Sequence, residues 1–392
     1  MIDQTILARL NAPTKEARLA NLREVLKTTV FPPMADRYIN NHIHTTYSFS
    51  PYSPTAAVYA ARMEGLCTAG IVDHDSIAGA EEFIEAGKLV GIPTTVGMEC
   101  RVRMDGTSME GRRTNNPDQV GVSYMTLQGV PHDKIRTLND WFAPYRAARN
   151  VRNARMIEKI NAMLPGMDLE LERDVLPLSQ FADGGGVTER HLMYALAQKL
   201  VAAHGKGPAL ADCLRGMGLD LSAKQEAQLL DTAYPFYEYD LLGILKAAFI
   251  PRVFVDAHDE CPTLPQIAAL ARDVGAVLCY AYLGDVGESV TGDKKAQKFE
   301  DDCLDEVFAC LKENGVPAVT YMPTRNTPAQ LARVRRLCDE NGIFQVSGED
   351  INSPRQSFII RAMEDPQFQN LIDATWKLIA WETGKEPMPL YS

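Results

Sequence analysis

The sequence predicts an α/β barrel interrupted by a mostly helical insertion, and three observations carry that expectation. Short apolar runs alternate with helix-length stretches over about residues 36–103 and again after Val253-Phe254-Val255, a rhythm that implies parallel strands joined by crossover helices. The stretch between, 104–254, loses the alternation and reads mainly as helix. Histidines or carboxylates follow four of the apolar runs, at the strand ends where such sheets collect their ligands.

Residues 1–35 read as a helical lead-in, with Leu7, Leu10, Leu19, Leu22, Val25 and Leu26 in an apolar stripe that Pro32-Pro33 ends. Arg37–Asn41 reads as a strand leading to His42 and His44. Residues i and i+2 of a strand point to one face, so both imidazoles can grip one ion. A helix over Thr55–Gly65, a strand over Thr68–Val72 and a helix over Ser76–Val90 follow, with Asp73-His74-Asp75 between the last two. The next strand ends at Glu99. In the middle, Leu138–Leu164 and Glu189–His204 are the clearest helices, and Gly184-Gly185-Gly186 reads as a flexible break before the second. Alternation then resumes: helix Pro265–Val274, strand Ala276–Tyr280, helix Phe299–Asn314, strand Ala318–Tyr321, helix Pro328–Asn341 and strand Phe344–Ser347, the last followed by Asp350. The expected division is a lead-in at 1–35, a barrel from 36–103 and 255–392, and an insertion at 104–254 that roofs the pocket and sets specificity.

Composition narrows the function classes. A 46% hydrophobic content supports a substantial core, and a net charge of −11 argues against a broad groove for long nucleic acid. A small phosphorylated substrate remains compatible with that charge. The eight cysteines are scattered with no CxxC pair, which reads as reduced thiols in a cytoplasmic protein. Met1-Ile2-Asp3-Gln4 does not open like a signal peptide. No apolar stretch approaches the roughly 20 residues that cross a bilayer.

Taken in order, His42-x-His44, Asp73-His74-Asp75-Ser76, Gly97-Met98-Glu99 and Gly348-Glu349-Asp350-Ile351-Asn352 resemble the motifs of the PHP (polymerase and histidinol phosphatase) family. Glu189-Arg190-His191, followed by an apolar helix, resembles an element of that family's phosphoesterase branch. The resemblance covers about 36–103 and 255–362. It implies a distorted (β/α)7 TIM-like barrel with up to three metal ions, and phosphate-ester hydrolysis by a metal-bound hydroxide. The chain departs from the pattern at four ligand positions. Phe49 stands in Ser48-Phe49-Ser50 where an Asp is usual, Tyr280 and Asn352 stand where histidines are usual, and no His matches near Val120–Met125. The retained set, His42, His44, Glu99 and Asp350, is the one the resemblance assigns to a single ion. One well-held divalent ion is therefore expected, with Zn, Mn or Fe all suited to imidazole and carboxylate ligands.

Around that ion, His74 or Asp73 is expected to manage the proton of the attacking water. Arg190, His191, Arg325 and Arg355 lie beside motif positions and are the candidates for holding substrate phosphate. Arg146, Arg149, Arg152 and Arg155 recur every third residue and read as a solvated face, with an anionic ligand over the barrel mouth as the minority reading. Asp256-Ala257-His258-Asp259 reads as a solvated loop. The leading expectation is a metal-dependent phosphoesterase acting on a small phosphorylated substrate such as a nucleotide. The alternatives are a catalytically degenerate PHP protein that binds a phosphorylated ligand or partner, and a mononuclear site that hydrolyses amides or catalyses eliminations.

Overall fold

A computed structural model describes residues 2–288, 295–297 and 300–391 of the chain. Helices α1 (Gln4–Leu10) and α2 (Lys15–Leu26) precede β1 (Ala35–Ile43), and α3 (Pro54–Met63) leads to β2 (Leu66–His74). Helix α4 (Ala80–Val90), β3 (Thr94–Arg103) and β4 (Val122–Gln128) follow. A helical stretch then holds α5 (Ile135–Met163), α6 (Glu189–His204), α7 (Pro208–Gly216), α8 (Ala223–Leu230) and α9 (Tyr237–Val253). The chain re-enters the sheet through α10 (Leu264–Val274) and β5 (Val277–Tyr282). A small hairpin of β6 (Val286–Glu288) and β7 (Lys295–Gln297) comes next, followed by α11 (Leu304–Glu313), β8 (Ala318–Tyr321), α12 (Pro328–Asn341), β9 (Phe344–Ser347) and α13 (Gln369–Glu382). The expected start of the helix before β8, Phe299, lies outside the described residues.

The main sheet has seven strands in the order β1-β2-β3-β4-β5-β8-β9 and curls into a half-barrel. Its free edges meet at one end. Ile43 of β1 bridges Ile351, His44 N–H donates to Ile351 O at 2.9 Å, and Ile351 N–H returns a bond to His42 O at 3.1 Å. The mixed α/β fold agrees with a TIM-like barrel. Two features of the pairing depart from the sequence reading. Strand β4 lies inside the stretch expected to be insertion, and it pairs antiparallel with both β3 and β5, which interrupts the run of parallel strands. The helical excursion therefore begins after residue 128. An antiparallel neighbour needs only a short connection, so no crossover helix announces β4 in the sequence.

Two apolar cores follow from this layout. One fills the sheet and its covering helices, from Leu10 and Leu22 of the lead-in to Phe308 and Leu371. The other lies within the helical stretch, around Met156, Leu192, Leu196 and Leu241, and takes in Phe49 from the loop after β1. The lead-in is docked rather than loose. Arg18 makes two hydrogen bonds, at 2.8 and 2.6 Å, to the buried carboxylate of Glu82 on α4. At the opposite end of the sheet from the histidines, Glu382 of α13 accepts from Val96 N–H at 2.9 Å. Among the described residues, no helix is long and apolar enough to cross a membrane.

Candidate metal centre

The parallel register of β2 and β3 sets His74 directly beside Glu99, and the curl of the sheet brings His42, His44 and Asp350 to the same mouth. Glu99 Oε2 lies 3.0 Å from His74 Nδ1, 3.7 Å from His42 Nε2 and 3.9 Å from His44 Nε2. His44 Nε2 also lies 3.1 Å from Asp350 Oδ1. Two overlapping triads have the spacing to hold an ion: His42, His44 and Asp350, and His44, His74 and Glu99. The four residues expected to bind metal are thus brought together, and His74 joins them.

The donor set fits a cation. Nε2 of His42 and of His44 are both buried, and neither has a hydrogen-bond partner. Buried polar atoms normally find one, and two bare imidazole nitrogens aimed at carboxylates are what a metal requires. The electrostatics agree. Burial alone would raise Glu99, but the imidazoles of His74, His42 and His44 outweigh it and hold the carboxyl at about 2. Asp350 is likewise held well below the usual carboxylate range, because His44 and His42 outweigh its burial. Burial dominates at His74 and pushes its imidazole down to about 4, so that ring is neutral near pH 7.

A second layer fixes these side chains. His44 Nδ1 lies 3.1 Å from Ser48 Oγ, and Ser48 donates to Asp73 at 2.7 Å. Asp73 is fully buried and also accepts from Thr45 N–H and Thr45 Oγ1, both at 2.6 Å. Expected as a proton carrier, Asp73 therefore sits behind His44, with its oxygens committed to the loop after β1. Asn40 ties β1 to the Asp350 loop: its Oδ1 accepts from the N–H of His42 and of Glu349, and its Nδ2 donates to Glu349 O. Gly348 permits the approach, since a Cβ there would stand 2.6 Å from His42 Cβ.

The helical stretch roofs the mouth. His74 lines a cavity with Arg101, Tyr124, Arg149, Glu189, Arg190 and Lys246. The triple glycine, expected as a flexible break, instead packs tightly there. A Cβ on Gly186 would stand 2.4 Å from His74 O, and Gly186 N–H donates to Tyr47 O at 2.7 Å. The arginine stripe of α5 is also not the solvated face expected. Arg146, Arg149 and Arg152 are buried, and Arg155 is exposed. Arg149 bonds the carboxylates of Asp75 and Glu189, Arg152 bonds Glu189, and Arg146 donates to Asp75 O at 2.9 Å. Three-residue spacing lags the helix by about 60° per step, so the stripe rotates from the roof's underside to solvent over its length. The guanidiniums of Arg149, Arg152 and Arg101 outweigh burial and hold Glu189 well below its ordinary range.

The phosphate-binding candidates separate. Arg190 lines the His74 cavity. His191 does not: its Nδ1 accepts the Thr188 N–H at 3.0 Å as a helix cap, and burial lowers it to about 3. Arg325 donates to Leu283 O at 3.0 Å and does not line the His74 cavity. Arg355 pairs with Asp240 at 2.8 and 2.6 Å, in a different cavity. His258 and Asp259 are exposed, as the loop reading has it. At two substituted positions, aromatic rings are packed in. Phe49 sits among His191, Tyr194 and Tyr239, and Tyr280 donates to buried Glu300 at 2.6 Å. Arg101 was missed as a pocket residue, whereas Arg149 lines the cavity on the side that the minority reading of the α5 stripe gave it. Arg101 stands two residues after Glu99 on β3, so the alternation that paired His42 with His44 also places it on that face. Lys246 carries no sequence signal.

No family model matches the chain. Local matches exist to a 5'-3' exoribonuclease of Haemophilus influenzae, 38% identical over 65 residues, and to an error-prone DNA polymerase of Mycobacterium tuberculosis, 32% identical over 96 residues. These span 17% and 24% of this chain, but only 24% and 8% of the relatives. Solved structures match over far more of the chain. One, from Bifidobacterium adolescentis, is assigned as a metal-dependent phosphoesterase; the match has a TM-score of 0.54 at 19% identity and covers 87% of this chain and 98% of the other. Another, an amidohydrolase from Chromobacterium violaceum with bound sulfate, has a TM-score of 0.54 at 14% identity and covers 86% and 96%. At those identities, what this chain shares with them is the fold.

Proposed function

We propose that this chain is a metal-dependent hydrolase with a single ion, acting on a small phosphate ester such as a nucleotide. The observation that carries the reading is the convergence of His42, His44, His74, Glu99 and Asp350, with two buried imidazole nitrogens that face carboxylates and make no hydrogen bond. The count of one rests on His44. Its Nδ1 is engaged by Ser48, so both triads draw on Nε2, and one imidazole lone pair serves one cation. When bound there, a divalent ion supplies Lewis acidity to an attacking water and to a phosphoryl oxygen. The protein supplies the rest. His74, neutral and on the cavity wall, takes the proton. Arg190 orients the phosphoryl group, and the Arg101–Arg149–Glu189 network holds the roof rigid above it. The names of the local relatives, an exoribonuclease and a DNA polymerase, support a phosphate ester.

The test is turnover of aryl phosphates and nucleotides with added Mn or Zn, before and after His42→Ala, alongside metal analysis. Activity and one ion per chain, both lost in the variant, are the expected result. Two or three tightly held ions would reject the mononuclear site. A second reading, a non-catalytic binder of a phosphorylated ligand, draws on Phe49 and Tyr280, whose rings stand at ligand positions of the resembled family. Ligand-induced thermal stabilisation without turnover would favour it.

A further inference from the structure

A second cavity, of about 370 Å³, opens between α8, α9 and the loop after β9. It is distinct from the one beside His74, but the two share Arg190 and Lys246 as a common wall. Its lining is cationic in a chain whose net charge is −11. Arg190, Lys224, Lys246 and Arg355 face it, against the single carboxylate of Asp240. Arg355 is held in place: it forms a two-point pair with Asp240 and lies 3.9 Å over the Tyr234 ring. A guanidinium ordered in this way presents its remaining N–H groups at little entropic cost. Gln228 adds an amide to the same wall.

We propose that this outer cavity binds a phosphate-bearing small anion, separately from the metal centre. The shape admits a ligand of pyrophosphate size or larger, and the cation pattern matches multiply charged phosphate oxygens. The proposal does not depend on hydrolysis by the chain. Such an anion comes from one of two sources: an independent ligand, or a second phosphate on a molecule whose first phosphate lies beside His74.

Calorimetric titration of the full chain with sodium pyrophosphate at low ionic strength tests it, using three proteins: the parent, His42→Ala and Lys224→Glu. Lys224 is exposed and near the start of α8, where a glutamate suits the helix dipole, so folding is not at stake. Binding is expected in the parent, and to persist in the His42→Ala protein. It should weaken by roughly tenfold or more in Lys224→Glu, the size of a lost charge-assisted hydrogen bond. Absence of binding in the parent, or equal affinity in Lys224→Glu, overturns the proposal. Loss in His42→Ala with retention in Lys224→Glu does so too, because the anion then sits at the metal centre. Competitive inhibition of nucleotide turnover by pyrophosphate would identify the second-phosphate source, and non-competitive behaviour the independent ligand.

Discussion

At the scale of single residues, the candidate centre depends on side chains that stand behind the mouth. His44 offers its Nε2 to the mouth because Ser48 occupies its Nδ1 and Asp73 in turn fixes Ser48. Partners of this kind set the tautomer and orientation of a ligating imidazole, and losing one commonly costs 10–100-fold in metal affinity. Ser48→Ala is therefore expected to weaken metal binding by roughly that factor while leaving the fold intact, as read by competition with a chelator and by circular dichroism. Unchanged affinity would mean that packing alone orients His44. The sequence made the candidate ligands legible, because a histidine pair at strand spacing followed by carboxylates at later strand ends is a strong pattern. It did not reveal the supporting partners. A serine and a buried aspartate 25 residues apart acquire their role only when β1 and β2 lie side by side.

Among the elements, the roof is held to the sheet by charge. Arg149 of α5 joins Asp75, just past the end of β2, to Glu189 at the start of α6, and its side chain is 5% exposed. Asp75 is held at φ 55, a left-handed conformation that few non-glycine residues adopt. Replacing Arg149 leaves two carboxylates in a protein interior without their main counter-charge. Arg149→Met is expected to destabilise the chain by about 3 kcal/mol or more in urea unfolding. A loss below about 1 kcal/mol would place the bond among those that water readily replaces. The stripe's periodicity was visible in the sequence, but its burial was not. Charged residues at regular helical spacing usually face solvent, and only the docking of α5 over the mouth turns them inward. Strand β4 is a related case: no helix separates it from β3, so only its two antiparallel partners identify it as part of the sheet.

Over the whole molecule, stability should depend on a carboxyl far from the histidines in sequence. Glu300 accepts from Tyr280 Oη and from the N–H groups of Leu283 and Gly284, yet burial wins and pushes it up to about 8. Its ordinary value is 4.5. The folded chain therefore binds more protons here than the unfolded chain across that interval, and stability falls as pH rises through it. The contribution is fully present below pH 4.5 and lost above about 8. Glu300→Gln should flatten this part of the stability profile, measured by denaturant midpoints from pH 5 to 9. An unaltered slope would assign the dependence to other groups.

The sequence by itself determined the α/β class, most helices and strands, and which residues converge on the mouth, because each is written in local periodicity and in side chains whose chemistry has few other uses. Only the tertiary structure decided that His74 stands within 3.0 Å of Glu99 at the mouth, that Arg146, Arg149 and Arg152 of α5 face inward, that β4 belongs to the sheet and that Arg355 faces a second cavity. Those outcomes depend on which surfaces meet. Contacts between residues distant in the chain follow from the summed packing of the whole, and no short stretch of sequence encodes them.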